Sequence, residues 1–121
     1  MNRLSGKVVM VTGSGRGFGK SLAIAFASEG AKVVSVARSI HELRETERAI
    51  KKVSGRVLTV PADISVDSGV RRVHDEVINA FGGLDVLVNN AATNSWLTIE
   101  DETMENWDNI MRINLRAPFA L

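Results

Sequence analysis

Four short runs of β-branched and aliphatic residues alternate along this chain with longer segments in which apolar residues recur every three or four positions. The runs are Lys7–Thr12, Lys32–Ala37, Arg56–Val60 and Leu84–Val88. They are largely apolar without a strict in-out alternation, the pattern of strands covered on both faces. Between them, the small residues of Gly17–Glu29 predict a helix ended by Gly30, which can take the left-handed conformation that closes helices. A second helix opens at Ser39, with Glu42 three positions on as a capping box, and carries the apolar stripe Ile40, Leu43, Ile50, Val53. Val66, Val70, Val73, Val77 and Phe81 mark one face of a third helix with Ser65 as its N-cap. A fourth starts after Thr103, turns Trp107, Ile110 and Met111 inward, and meets Pro118, which is expected to kink or stop it. Strands alternating with helices of this length predict an α/β fold with a doubly wound parallel sheet of about four strands and four helices. No repeat, low-complexity tract or linker interrupts residues 1–121, so they read as one unit.

Composition narrows the function more than the fold. With 45% hydrophobic and 24% charged residues and a net charge of +1, the chain has no basic block of the kind that neutralises many phosphates, and nucleic-acid binding is not expected. The absence of cysteine excludes disulfides, thiolate metal sites and cysteine nucleophiles within these residues; no metal site is expected. The first apolar run is too short for a secretory signal, and no segment approaches the roughly 20 apolar residues of a membrane span, so a cytoplasmic location is the expectation.

The informative segment is Thr12-Gly13-Ser14-Gly15-Arg16-Gly17-Phe18-Gly19, which leaves the first strand and enters the first helix. Glycines there permit a tight turn and a close backbone approach, and the helix N-terminus offers unpaired N–H groups and partial positive charge, so a dinucleotide phosphate is the natural ligand. Two neighbouring motifs miss by one residue. The G-x-G-x-x-G fingerprint would need glycine at Phe18, and a Walker A loop ending at Gly19-Lys20-Ser21 would need glycine at Ser14. A P-loop nucleotide hydrolase is therefore a minor alternative, tested by magnesium-dependent ATP or GTP binding.

What fits is TGxxxGxG, and on it the chain resembles the short-chain dehydrogenase/reductase family, whose fold is Rossmann-like. The resemblance extends through Ala62-Asp63-Ile64, Asn89-Asn90-Ala91-Ala92, Trp107-Asp108 and Ile113-Asn114-Leu115. It implies that Gly13, Ser14, Arg16, Gly17, Phe18 and Gly19 cradle the cofactor. Asp63 would accept from the adenine amino group with the Ile64 N–H beside it, Asn89 and Ala91 would line the cofactor, and Asn114 would hold a water in the proton relay. Ala92 stands where the family has glycine, one methyl group more. Taken singly, Asp63 reads as a strand-end residue, Asn89-Asn90 as a turn and Asn114 as a solvated helix position; their order and separations carry the resemblance.

An acidic residue at the end of the second strand would bind the adenosine ribose hydroxyls of NAD. Here that position is Ala37, followed by Arg38, with Arg16 in the glycine loop as a second cation. Two guanidinium groups around a 2′-phosphate make NADP(H) the preferred cofactor, with NAD(H) second. The competing reading leaves Arg16 solvated and pairs Arg38 with a carboxylate of the second helix such as Glu42.

The family's reaction is hydride transfer between nicotinamide and a carbonyl or alcohol, with the tyrosine of a Tyr-x-x-x-Lys pair as acid/base. This chain has no tyrosine, and its two histidines, His41 and His74, fall on outward helix positions. The resemblance therefore implies that residues 1–121 are the cofactor-binding front part of a longer enzyme, inactive alone, with an exposed fourth strand. It also implies a homodimer or homotetramer at full length and a small carbonyl or alcohol substrate, with Trp96 bordering the substrate site or simply packed. The alternative is a non-catalytic dinucleotide-binding or regulatory protein.

Overall fold

The computed structural model describes residues 2–121. Strands β1 (Val8–Thr12), β2 (Lys32–Ala37), β3 (Arg56–Pro61) and β4 (Val86–Val88) alternate with helices α1 (Gly17–Ser28), α2 (Ile40–Lys52), α3 (Asp67–Phe81) and α4 (Met104–Met111). The sheet is parallel throughout, in the order β3-β2-β1-β4. The chain steps outward from β1 to β3, then crosses back to place β4 on the other side of β1. That reversal opens a crevice at the carboxyl ends of β1 and β4, where open α/β sheets bind ligands.

Both faces of the sheet are covered, as the non-alternating strand pattern predicts. Val9, Val11 and Val33 pack with Ala23, Ala27 and Ile50 of α1 and α2 on one side. On the other, Val8, Met10, Val34, Val36 and Val60 meet Val70, Val73 and Val77 of α3. The small residues of α1 are what let it lie close to the strands. Phe81 closes the end of α3 beneath two cations, Lys32 and Arg56, at 5.9 and 5.8 Å from its ring centre.

Several local expectations are corrected. The buried seam of α2 is Leu43, Thr46 and Ile50, while Ile40 and Val53 are exposed at the helix ends, so a hydroxyl occupies the middle of the stripe. The cap of α3 is Val66, without a side-chain hydrogen bond, because Ser65 is already committed to Asp63. β4 begins at Val86 instead of Leu84. One residue earlier the Asp85 carboxylate accepts from the Val8 N–H at 2.8 Å, taking the place of a backbone partner. Within the described residues β4 pairs only with β1, and its outer edge is open.

Thr103 caps α4 by accepting from the Asn106 N–H at 3.1 Å, but Trp107 is 51% exposed and not turned inward. α4 runs directly into the helical turns that follow it and has no buried residue of its own; it is Ala117, Ala120 and Leu121 beyond it that pack against the core. Pro118 does not end the helix either. The backbone widens into a π-helical turn at Arg112–Arg116 and continues helically as α5 (Ala117–Ala120), so the bond that Pro118 cannot make falls where the regular helical bonding has already changed. His41 and His74 are exposed.

Candidate functional site

Thr12, the last residue of β1, ties the crevice together. Its buried hydroxyl accepts from the N–H groups of Asn90 and Ala91 at 3.1 and 3.0 Å, and approaches the Val88 carbonyl as donor at 3.4 Å. The Asn90 amide returns the contact, donating to the carbonyls of Thr12 at 3.0 Å and Gly13 at 3.3 Å. The loops after β1 and β4 are thus one hydrogen-bonded unit, and they form the floor of the site.

Gly13 has φ +65°, and a Cβ there would stand 3.0 Å from the Ala91 backbone. A Cβ on Gly19 would overlap the Gly13 carbonyl oxygen and sit 2.5 Å from the Asn90 amide nitrogen. Side chains at either position would fill the cradle, so the two loops can approach this closely only as glycine. Ser14 is fully buried and points the other way. Its Oγ lies 2.6 Å from Ser35 Oγ and accepts from the Val36 N–H at 3.1 Å, fastening the loop to β2. The Thr46 hydroxyl donates to the Ser14 carbonyl at 2.8 Å, which fastens the same loop to α2.

Helix α1 begins immediately after this loop with no side-chain cap at Arg16 and no acidic residue in its first turn. Its leading N–H groups and the positive end of its dipole therefore face the crevice without a side-chain cap or an acid of the helix's own first turn. The cavity they border measures about 550 Å³. It is lined by Gly13 and Arg16 of the loop after β1, Gly17, Phe18 and Gly19 of the first turn of α1, Ala37 and Arg38 at the end of β2, Asp63 and Ile64 after β3, and Asn90 and Ala91 after β4. Residues far apart in sequence are gathered there in the order the motifs suggested.

Three of the expected site residues stand elsewhere. Ser14 and Asn89 are not among the lining residues, and the inward asparagine is Asn90. Asn114 is also outside the lining. Its carboxamide is committed at both ends to Thr93, accepting from the Thr93 N–H at 2.8 Å and donating to the Thr93 carbonyl at 2.7 Å. Glu42, Ser39 and Thr93 line the cavity without having been singled out as ligand contacts. Ser39 and Glu42 did carry a sequence signal, their places in the capping box, but that signal pointed to a structural role; Thr93 carried none.

The charges are arranged in two pairs. Asp63 Oδ1 accepts from the Ser65 hydroxyl and N–H at 2.6 and 3.0 Å, and these bonds, with the nearby charge of Arg38, hold its carboxyl below the ordinary carboxylate range. Arg16 faces Glu42, Nε to Oε2 at 4.0 Å. It is therefore Arg16, not Arg38, that pairs with the second helix.

Comparison with known proteins agrees with this geometry. The short chain dehydrogenase family model matches residues 7–121. The chain belongs to the short-chain dehydrogenase family. It is 38% identical over 119 residues to a probable tetrahydroxynaphthalene reductase of Zymoseptoria tritici, covering 98% of this chain and 45% of that protein. It is 39% identical over 118 residues to 3beta-hydroxysteroid dehydrogenase 1 of Eggerthella lenta, covering 97% and 45%. Among solved structures, L-sorbose reductase from Gluconobacter frateurii, complexed with NADPH and L-sorbose, superposes with a TM-score of 0.95 at 41% identity, over 100% of this chain and 47% of that one. A metagenomic short-chain oxidoreductase in complex with NADP gives 0.93 at 36% identity, over 98% and 54%. The chain thus spans about half the length of these family members.

Proposed function

We propose that this crevice binds NADP(H) and that the protein carrying it is an oxidoreductase acting on a carbonyl or alcohol substrate. The observation that carries the reading is the ribose side of the cavity, where Arg16 and Arg38 flank Ala37 and no carboxylate stands at the end of β2. An acid there would accept from ribose hydroxyls and repel a phosphate; alanine between two cations does neither. The NADPH and NADP held by the two structural relatives support the same choice.

The residues fit the dinucleotide by what they leave open. Gly13 and Gly19 let the β1 and β4 loops close together beside the α1 N-terminus, where a Cβ would force them apart, and that N-terminus is left to take a pyrophosphate. The adenine edge is assigned to the Asp63 carboxylate and the Ile64 backbone; both residues line the cavity, and the Ile64 side chain is in the core. When bound, the cofactor supplies or accepts the hydride. Asn114 serves as a positioning residue, pinning Thr93 and with it the wall that continues from Ala91.

The test is the affinity of the full-length protein for NADPH and NADH. Two exposed guanidinium groups are expected to favour NADPH by about tenfold, less than buried charge pairs would give because solvent screens them. Ala37→Asp combined with Arg38→Ala should reverse the preference. A wild type that binds neither dinucleotide, or binds NADH more tightly, overturns the proposal.

A further inference from the structure

Resting on the NADP(H) reading, the geometry points to a specificity-determining role for Glu42: its carboxylate competes with the 2′-phosphate of the cofactor for Arg16, and so limits how strongly the protein favours NADP(H) over NAD(H).

Glu42 stands in the first turn of α2 and lines the cavity beside Arg16 and Arg38. It is pressed against the glycine loop. A Cβ on Gly15 would lie 3.0 Å from Glu42 Cβ and 3.1 Å from Oε2, so the carboxylate occupies the flank of the loop that a side chain at position 15 would otherwise take. Its place is also held from both sides along the helix. The Ser39 hydroxyl accepts from the Glu42 N–H at 3.2 Å, and one turn later Thr46 donates to the Ser14 carbonyl at 2.8 Å from a fully buried position. α2 is therefore bonded to the loop, and the Glu42 side chain, 35% exposed against 86% for Arg16, is the more fixed member of the pair.

The two cations on the ribose side are not equivalent. Arg38 lies near Asp63, but that carboxylate is already occupied by Ser65. Among the described residues Arg16 is the one ion-pair partner of Glu42. A dianionic phosphate arriving between Arg16 and Arg38 must draw Arg16 away from Glu42 and lie close to a second negative charge. The hydroxyls of an NAD(H) ribose face no such conflict, and a carboxylate can accept from them. The Glu42 charge thus opposes one dinucleotide and not the other.

Dissociation constants for NADPH and NADH should be measured on the full-length protein as wild type, Glu42→Gln, Arg16→Ala and the double variant. Glu42→Gln keeps the helix cap and the side-chain volume. It is expected to raise the NADPH-to-NADH affinity ratio about fivefold, and by less than about twofold when Arg16 is already alanine. Glu42→Ala should move the ratio in the same direction. A ratio that Glu42→Gln leaves where it was, or raises equally with and without Arg16, overturns the competition while leaving NADP(H) binding intact. A wild type that binds neither dinucleotide removes the functional reading and this inference with it.

Discussion

At the residue scale the site depends on atoms that are missing as much as on those present. Gly19→Ala places a methyl group against the Gly13 carbonyl and the Asn90 amide, and neither can retreat without breaking the bonds that join the β1 and β4 loops. NADPH binding measured by calorimetry is expected to weaken by at least about tenfold, comparable to other losses of a preorganised contact geometry. Affinity within twofold of wild type would show that the cradle is not where the pyrophosphate lies. Thr46 shows the opposite case, a polar atom that the site cannot lose. Thr46→Val preserves shape but strips the Ser14 carbonyl of its buried donor, and should cost about 1–3 kcal/mol in urea unfolding. Thr46→Ser should recover most of it. The glycines were legible because only their residue type suits such a turn. Thr46 was not, because a hydroxyl in the middle of an apolar stripe has no meaning until the loop it bonds, 32 positions earlier, is brought beside it.

At the element scale, capping decided which local signals held. Ser39 and Thr103 both cap their helices by accepting from the N–H three residues on, and Ser39→Ala is expected to cost about 1 kcal/mol, read as a lower thermal midpoint. Ser65 stands in as suitable a position by sequence. Its bonds to Asp63 take it out of the helix, so Ser65→Ala should disturb cofactor affinity more than helix stability. If the two alanine variants lower the midpoint equally, Ser65 caps after all. Pro118 was read as a kink or a stop because proline cannot donate within a helix, and the helix does not stop there. The π-helical turn ahead of it changes the regular bonding before the proline is reached, a rearrangement that residue type alone does not disclose. Trp107 was read as inward on helical period, which identifies the apolar side of α4 but not whether anything lies opposite it.

For the whole molecule, acid should be destabilising. Asp63, Glu47, Glu29, Asp67 and Glu102 are all held below their ordinary values, chiefly by side-chain hydrogen bonds: from Ser65 for Asp63, Lys51 then Arg44 for Glu47, Arg3 for Glu29, Arg116 for Asp67, and Asn106 for Glu102. A carboxyl with a depressed folded value contributes its stabilisation fully above its unfolded value and loses it as pH falls through the folded one. The urea midpoint is thus expected to be level near neutrality and to drop below about pH 4; a midpoint that stays level to pH 3 would refute this. By itself the sequence determined the strands and helices and the glycine turn, because each follows from residue types within one short segment, and the parallel sheet, because it follows from the order in which those segments alternate. Only the tertiary structure decided that Asn90 and not Asn89 faces the crevice, that Asn114 grips Thr93, and that Arg16 meets Glu42. Those outcomes depend on which side chains from distant segments arrive within about 3 to 4 Å of each other, and that distance is set by packing the strands and helices together, not by any one of them.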